Sequence, residues 1–269
     1  MDIYIGTYTT RYAGTAEGIY AATFDSETGA LSNVRRATCA VDPSFVAIHP
    51  TRRFLYAVGE VVGGGKQQGG INAYAIESDG LRLLNGQPTG DKGPCHLLVD
   101  KEGKYVLGTV YEAGKVYSFP IEADGSLGVQ ACCVQHEGSS VNTARQDAAH
   151  PHSINLDAQN RFAFVCDLGI DRTVIYRFDS ETGKLTPGEP SGVSAAPGAG
   201  PRHFAFHPTG RFAYVINELN ETVSAYAYDS DSGLLEERQT ISTLPENFKE
   251  VSWCADIHVG PAGNYVYGS

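Results

Sequence analysis

Three histidines, two glutamates and one arginine hold equivalent places in successive segments of this chain: His96, His152, His203, Glu60, Glu218 and Arg202. Their chemistry is complementary. Histidine, with an ordinary pKa near 6.5, takes up and releases protons at neutral pH. Glutamate, near 4.3, is ionised there but is a weak base unless burial raises it. Arginine offers a planar fork that holds carboxylates, phosphates and developing oxyanions. Gathered at one place, the six would form a site that moves protons and binds an anion.

The spacing that equates these positions comes from a repeat. Pro201 to Glu218, PRHFAFHPTGRFAYVINE, reads as two alternating strands around the turn His207-Pro208-Thr209-Gly210. Related segments open at Pro43, Pro94, Pro151 and Cys254, at intervals of about 50 residues, a period typical of propeller-like arrays. Each full unit continues into a third strand (Gly70–Ile76, Lys115–Ile121, Thr173–Phe178, Thr222–Tyr228), an Asp- and Gly-bearing turn and a fourth strand. Four short antiparallel strands per repeat predict the blades of an all-β propeller, one domain over residues 1–269.

The position after each opening residue reads Ser44, Cys95, His152, Arg202 and Ala255, and the next reads Phe45, His96, Ser153, His203 and Asp256. Sixteen residues after the first set stand Glu60, Tyr111, Leu168 and Glu218. A hairpin folds this later position back beside the strand start, so both sets are expected at one mouth of a central channel. Tyr8 matches Glu218 in a partial first unit, where residues 3 to 8 read as a second strand. Asp167 flanks the same end and joins the candidates; Asp171 beside it is left open between site and scaffold.

Residues shared between units are read as architecture. His49 and His207 share one turn position, Asp100 and Asp157 are turn-formers, and Phe54, Tyr105, Phe162 and Phe212 are packing aromatics. Trp253 is assigned to the core. Gly63-Gly64-Gly65 lacks the following helix and lysine of a phosphate loop. Leu244 to Lys249 is expected to hold an irregular turn.

A formal charge of −11 argues against nucleic acid and anionic membranes as partners. It does not exclude a small anion, because screening confines surface fields to about 8 Å in physiological salt. No apolar run reaches the ~18 residues of a membrane span. The six cysteines are scattered without a CxxC pair, so no metal is expected, and reduced cysteines in a cytoplasmic protein are. The first blade lacks an innermost strand and the sequence stops at Gly268-Ser269, inside the sixth unit. The expectation is therefore a C-terminally truncated piece, short by roughly 80 residues if one further blade follows.

The segments IYIGTYT, FDSETGALS, PSFVAIHP, HPHSINLD, GPRHFAFHPTGRFAYVINE and ADIHVGPAGNYVYGS together resemble the β-propeller lactonase family, which includes bacterial 6-phosphogluconolactonases. Fungal carboxy-cis,cis-muconate cyclase is a relative. The resemblance implies seven blades, hydrolysis of 6-phospho-D-glucono-1,5-lactone and no obligatory cofactor. It also implies a catalytic trio of His152 in HPHS, Arg202 in GPRH and Glu218 in VINE. His152 or Glu218 would activate water, Arg202 would bind the oxyanion or the phosphate, and His96, His203 and Glu60 would line the site. A lactone-forming cyclase and a non-catalytic binding scaffold are the competing readings.

Overall fold

The computed structural model describes residues 1–62 and 66–269, so Gly63-Gly64-Gly65 lies outside the described residues. The chain divides into two compact units, residues 1–112 with 117–131, and residues 113–116 with 132–269. In the first unit, β1 (Asp2–Ile5), β2 (Gly18–Phe24) and β3 (Leu31–Cys39) form a three-stranded sheet. Next come β4 (Val46–Ile48), β5 (Phe54–Val62), β6 (Lys66–Glu77) and β7 (Gly80–Pro88), a four-stranded antiparallel sheet in sequence order. β8 (Pro94–Val99) pairs antiparallel with β9 (Tyr105–Val110), and most of β10 (Lys115–Pro120) belongs to this unit as well.

The second unit contains β11 (Cys132–Gln135) and two complete four-stranded sheets. One is β12 (Pro151–Leu156), β13 (Phe162–Asp167), β14 (Arg172–Asp179) and β15 (Lys184–Ser194). The other is β16 (Pro201–Phe206), β17 (Phe212–Asn217), β18 (Thr222–Tyr228) and β19 (Leu235–Ser242). A last hairpin joins β20 (Ile257–Val259) and β21 (Val266–Gly268). The all-β expectation and the repeated antiparallel four-stranded sheet both hold. The first strand is shorter than read, ending at Ile5 rather than Tyr8. The segment after β19 holds the expected turn, closed by Phe248 N–H donating to the Pro245 carbonyl at 3.2 Å.

Alternation within the strands gives each sheet two apolar faces, which neighbouring sheets bury. Between the β12–β15 and β16–β19 sheets lie Phe164, Ile175, Phe204, Val215, Tyr226 and Tyr228. Phe164 stacks on Phe204 at 5.1 Å and meets Tyr228 edge-on at 5.5 Å. Burial of each such ring contributes about 2 kcal/mol before entropy is counted. Ile216, Cys254 and Ile257 continue this packing toward the last hairpin. In the first unit Ile19, Leu55, Tyr74 and Leu81 play the same part.

The shared polar residues knit sheet to sheet, as their repetition suggested. Nε2 of His49 lies 3.0 Å from the Gly103 carbonyl, and Nε2 of His207 lies 3.0 Å from that of Gly263; each Nδ1 meets a threonine hydroxyl two residues on. Asp100 and Asp157 are fully buried and accept hydrogen bonds from the backbone of the turns that follow them. Phe212 departs from its equivalents. A turn glycine packs closely on Phe54 (Gly125) and on Phe162 (Gly233), whereas Phe212 is 38% exposed.

Asp157 offers a direct check. Its Oδ1 accepts from Arg161 N at 2.6 Å and Phe162 N at 3.0 Å inside the sheet interface. Asp157→Ala leaves these donors unmatched and is expected to cost about 2–3 kcal/mol, whereas Asp229→Ala in an exposed turn should cost under about 1 kcal/mol. Urea midpoints at an unchanged m-value measure both.

Candidate active site

The position after the opening proline is singled out by backbone geometry. In β12 the register with β13 jumps between Pro151 and Ser153, and in β16 the register with β17 jumps between Pro201 and His203. His152 and Arg202 are therefore the extra residues of two β-bulges; Cys95 is a third, between Pro94 and His96. A bulge takes one residue out of the ladder and re-aims its side chain. Accordingly His152 and Arg202 are half-buried while the residues on either side of them are buried.

The sixteen-residue spacing closes as a contact. Arg202 Nε donates to Glu218 Oε2 at 2.8 Å, because the hairpin returns Glu218 beside the bulge. Arg202 Nη1 donates to the Ala255 carbonyl, which ties the guanidinium to the start of the last hairpin. The other oxygen of Glu218, Oε1, accepts from Arg145 Nη2 at 2.5 Å. Glu218 is thus a nearly buried carboxylate between two guanidiniums, its side chain 8% exposed against 21% for Arg202 and 32% for Arg145.

Beside this triad stands a histidine cluster. The rings of His152 and His203 lie 5.3 Å apart, edge to face. His203 Nδ1 lies 2.7 Å from Asp256 Oδ1, and the exposed His258 reaches Asp256 Oδ2 at 2.9 Å. Burial pushes the His203 imidazole below its ordinary pKa, and Arg202 and His258 add to this against the opposing pull of Asp256. His203 is therefore neutral at pH 7, and it donates its Nδ1 proton to Asp256. Burial works against the charge of Asp256, yet hydrogen bonds from His203 and from the Ile257 N–H hold its carboxyl well below the usual range.

Arg145 was not evident from the sequence, because it lies in the irregular segment before β12, outside the repeat. Gln146 fixes that segment. Fully buried, it donates to the Leu168 carbonyl at 2.8 Å and to Asp171 Oδ1 at 2.7 Å. Asp171 also accepts from Gly198 N and Gly200 N, and so ties this segment to the approach to β16. Trp253 corrects its assignment to the core: it is 64% exposed, with the Arg145 guanidinium 5.6 Å from its ring centre. It lies in the irregular segment before β20, where Cys254 is buried against Ile216 and Ile257 while Trp253 faces outward.

The remaining candidates are placed less directly. Asp167 is fully buried. Its Oδ1 accepts from His150 N and Gly169 N, and its Oδ2 lies 2.7 Å from His136 Nδ1. Tyr176, in turn, donates its hydroxyl to His136 Nε2 at 2.7 Å. Asp167 is thus held by hydrogen bonds on both carboxylate oxygens. In the first unit, His96 is buried with its ring 4.3 Å from Phe45, and Tyr8 is 43% exposed against Tyr12 at 4.9 Å. Glu60 lies in β5, and its side chain is outside the described residues.

A family model described as lactonase, 7-bladed β-propeller, matches residues 2–269. The chain belongs to this lactonase family. Among the lactonase's relatives, a 6-phosphogluconolactonase of Bacillus subtilis is 37% identical over 98% of this chain and 73% of its own length. One from Serratia proteamaculans is 34% identical over 91% of this chain and 68% of its own. Among solved structures, the periplasmic gluconolactonase of Pseudomonas aeruginosa superposes with a TM-score of 0.89 at 28% identity, over 99% of this chain and 75% of its own. A Lactobacillus plantarum protein superposes with a TM-score of 0.91 at 28% identity, over 100% of this chain and 74% of its own.

The neutral state of His203 has a measurable consequence. Its folded pKa is lowered, so below about pH 6.5 the unfolded chain takes up a proton that the folded chain refuses. This contribution to stability is full above that pH and declines as pH falls toward the folded pKa. The lactonase should therefore lose stability between pH 7 and 5, and His203→Gln should flatten that slope, as urea midpoints at each pH will record.

Proposed function

We propose that this chain hydrolyses 6-phospho-D-glucono-1,5-lactone to 6-phosphogluconate within a seven-bladed propeller, at the site built by His152, Arg202 and Glu218. The observation that carries the reading is the contact of the bulge residue Arg202 with the returning Glu218, with the second bulge residue, His152, against His203, the neighbour of Arg202. Membership of the lactonase family supports it, as do relatives named for this reaction.

Opening a δ-lactone needs a water made nucleophilic, a tetrahedral oxyanion stabilised and a proton delivered to the departing ring oxygen. His152 takes the proton as the water oxygen bonds to the lactone carbonyl carbon. Arg202 stabilises the oxyanion or holds an anionic group of the substrate. When the carbonyl re-forms and the ring C–O bond breaks, His152 returns the proton to the ring oxygen. The sum is lactone plus water giving the hydroxy acid.

Glu218 is better suited to hold guanidiniums than to be the base, since each of its oxygens already accepts from an arginine. Asp256 and His203 hold the wall against which His152 packs. His96, Glu60 and Tyr8 remain polar lining in this reading.

Turnover of the lactone, corrected for spontaneous hydrolysis, tests the assignment. His152→Gln and Arg202→Ala are each expected to lower kcat/KM by about 100-fold or more, within the range for a lost acid–base group or oxyanion donor. Near-wild-type rates in both would remove the site.

A further inference from the structure

Arg145 has no counterpart in the repeat, yet it is held with care. The adjacent Gln146 is fully buried and bonded to Leu168 and Asp171, and its own side-chain oxygen accepts from Asn142 N at 3.0 Å. This anchor presents Arg145 to Glu218 on one side and to the Trp253 ring on the other. Glu218 is nearly buried and needs a cationic partner, but Arg202 already supplies one at 2.8 Å, so charge pairing gives only part of the reason for a second guanidinium. The placing of the pair gives the rest. Two guanidiniums share one carboxylate at a part-open place on a chain of net charge −11. Glu218 fixes both forks side by side, and paired forks suit a tetrahedral dianion with several acceptor oxygens.

We propose that Arg145, together with Arg202, is the receptor for the phosphate of a phosphorylated sugar lactone and sets the preference for phosphorylated over unphosphorylated lactones. This inference rests on the lactonase reading of the same site. Glu218 is the positioning residue that keeps the two guanidiniums together. Trp253 closes the outer face of Arg145, its ring attracting the cation within the usual distance of about 6 Å. As the only tryptophan of the chain, it also reports what happens there.

The test compares kcat/KM for 6-phosphoglucono-1,5-lactone and for glucono-1,5-lactone in the wild type, Arg145→Gln, Arg145→Lys and the surface control Arg238→Gln. In parallel, 6-phosphogluconate and gluconate are titrated against Trp253 fluorescence. The ratio of the two kcat/KM values should fall about 10- to 100-fold in Arg145→Gln, as for loss of charge-assisted hydrogen bonds. It should recover in part in Arg145→Lys and stay unchanged in Arg238→Gln. 6-Phosphogluconate should change Trp253 emission saturably, with affinity at least about tenfold weaker in Arg145→Gln, and gluconate should bind far less well. An unchanged ratio together with unchanged 6-phosphogluconate affinity in Arg145→Gln overturns the inference and leaves the lactonase reading standing. If the wild type turns over neither lactone, that reading fails, and the titration still decides on Arg145. Weaker binding in Arg145→Gln then supports the receptor, while equal binding, or none in the wild type, overturns it.

Discussion

The site depends on one carboxylate held between two guanidiniums. Glu218 is nearly buried, and an unpaired charge there would be costly. Arg202 and Arg145 remove that cost, and in return Glu218 fixes the direction of both forks. Each partner comes from a different part of the second unit: Arg202 from the bulge in β16, Glu218 from the residue after β17, and Arg145 from the segment before β12. The triad therefore ties the segment before β12 to the β16–β17 hairpin by charge. Arg202 extends the link to the last hairpin through the Ala255 carbonyl.

The bulges explain how a repeated scaffold yields a local site. In a regular strand, residue 202 would take its turn in the ladder and its side chain would be committed to a sheet face. With the register broken after the opening proline, the next residue is released from pairing in β8, β12 and β16 alike. The architecture thus offers the same re-aimed position in several sheets, and the sequence fills it with Cys95, His152 or Arg202.

The same logic decides what could be read from residues alone. Whatever repeats was legible: the four-stranded unit, the structural histidines His49 and His207, the turn aspartates Asp100 and Asp157, and the return of Glu218 to Arg202 after sixteen residues. What does not repeat was not. Arg145 and its anchor Gln146 sit in an irregular segment whose path is set by tertiary hydrogen bonds, and nothing local marks them. His136, bound between Asp167 and Tyr176, was missed for the same reason, and with it the buried role of Asp167. Trp253 and Phe212 were misplaced because residue type suggested burial, whereas burial depends on a neighbour being present. Trp253 has only the Arg145 guanidinium over its ring among the described residues, and Phe212 is 38% exposed.

The central claim is that Glu218 holds arginines while a histidine takes the proton. The pH dependence of kcat/KM in Glu218→Gln, set beside the wild type, bears on it most directly. If the claim is right, the variant keeps an acid limb governed by an ionisation near that of histidine, about 6.5, and loses activity chiefly through a higher KM. If Glu218 is the base, the limb disappears in the variant, kcat collapses, and the account of this site is contradicted.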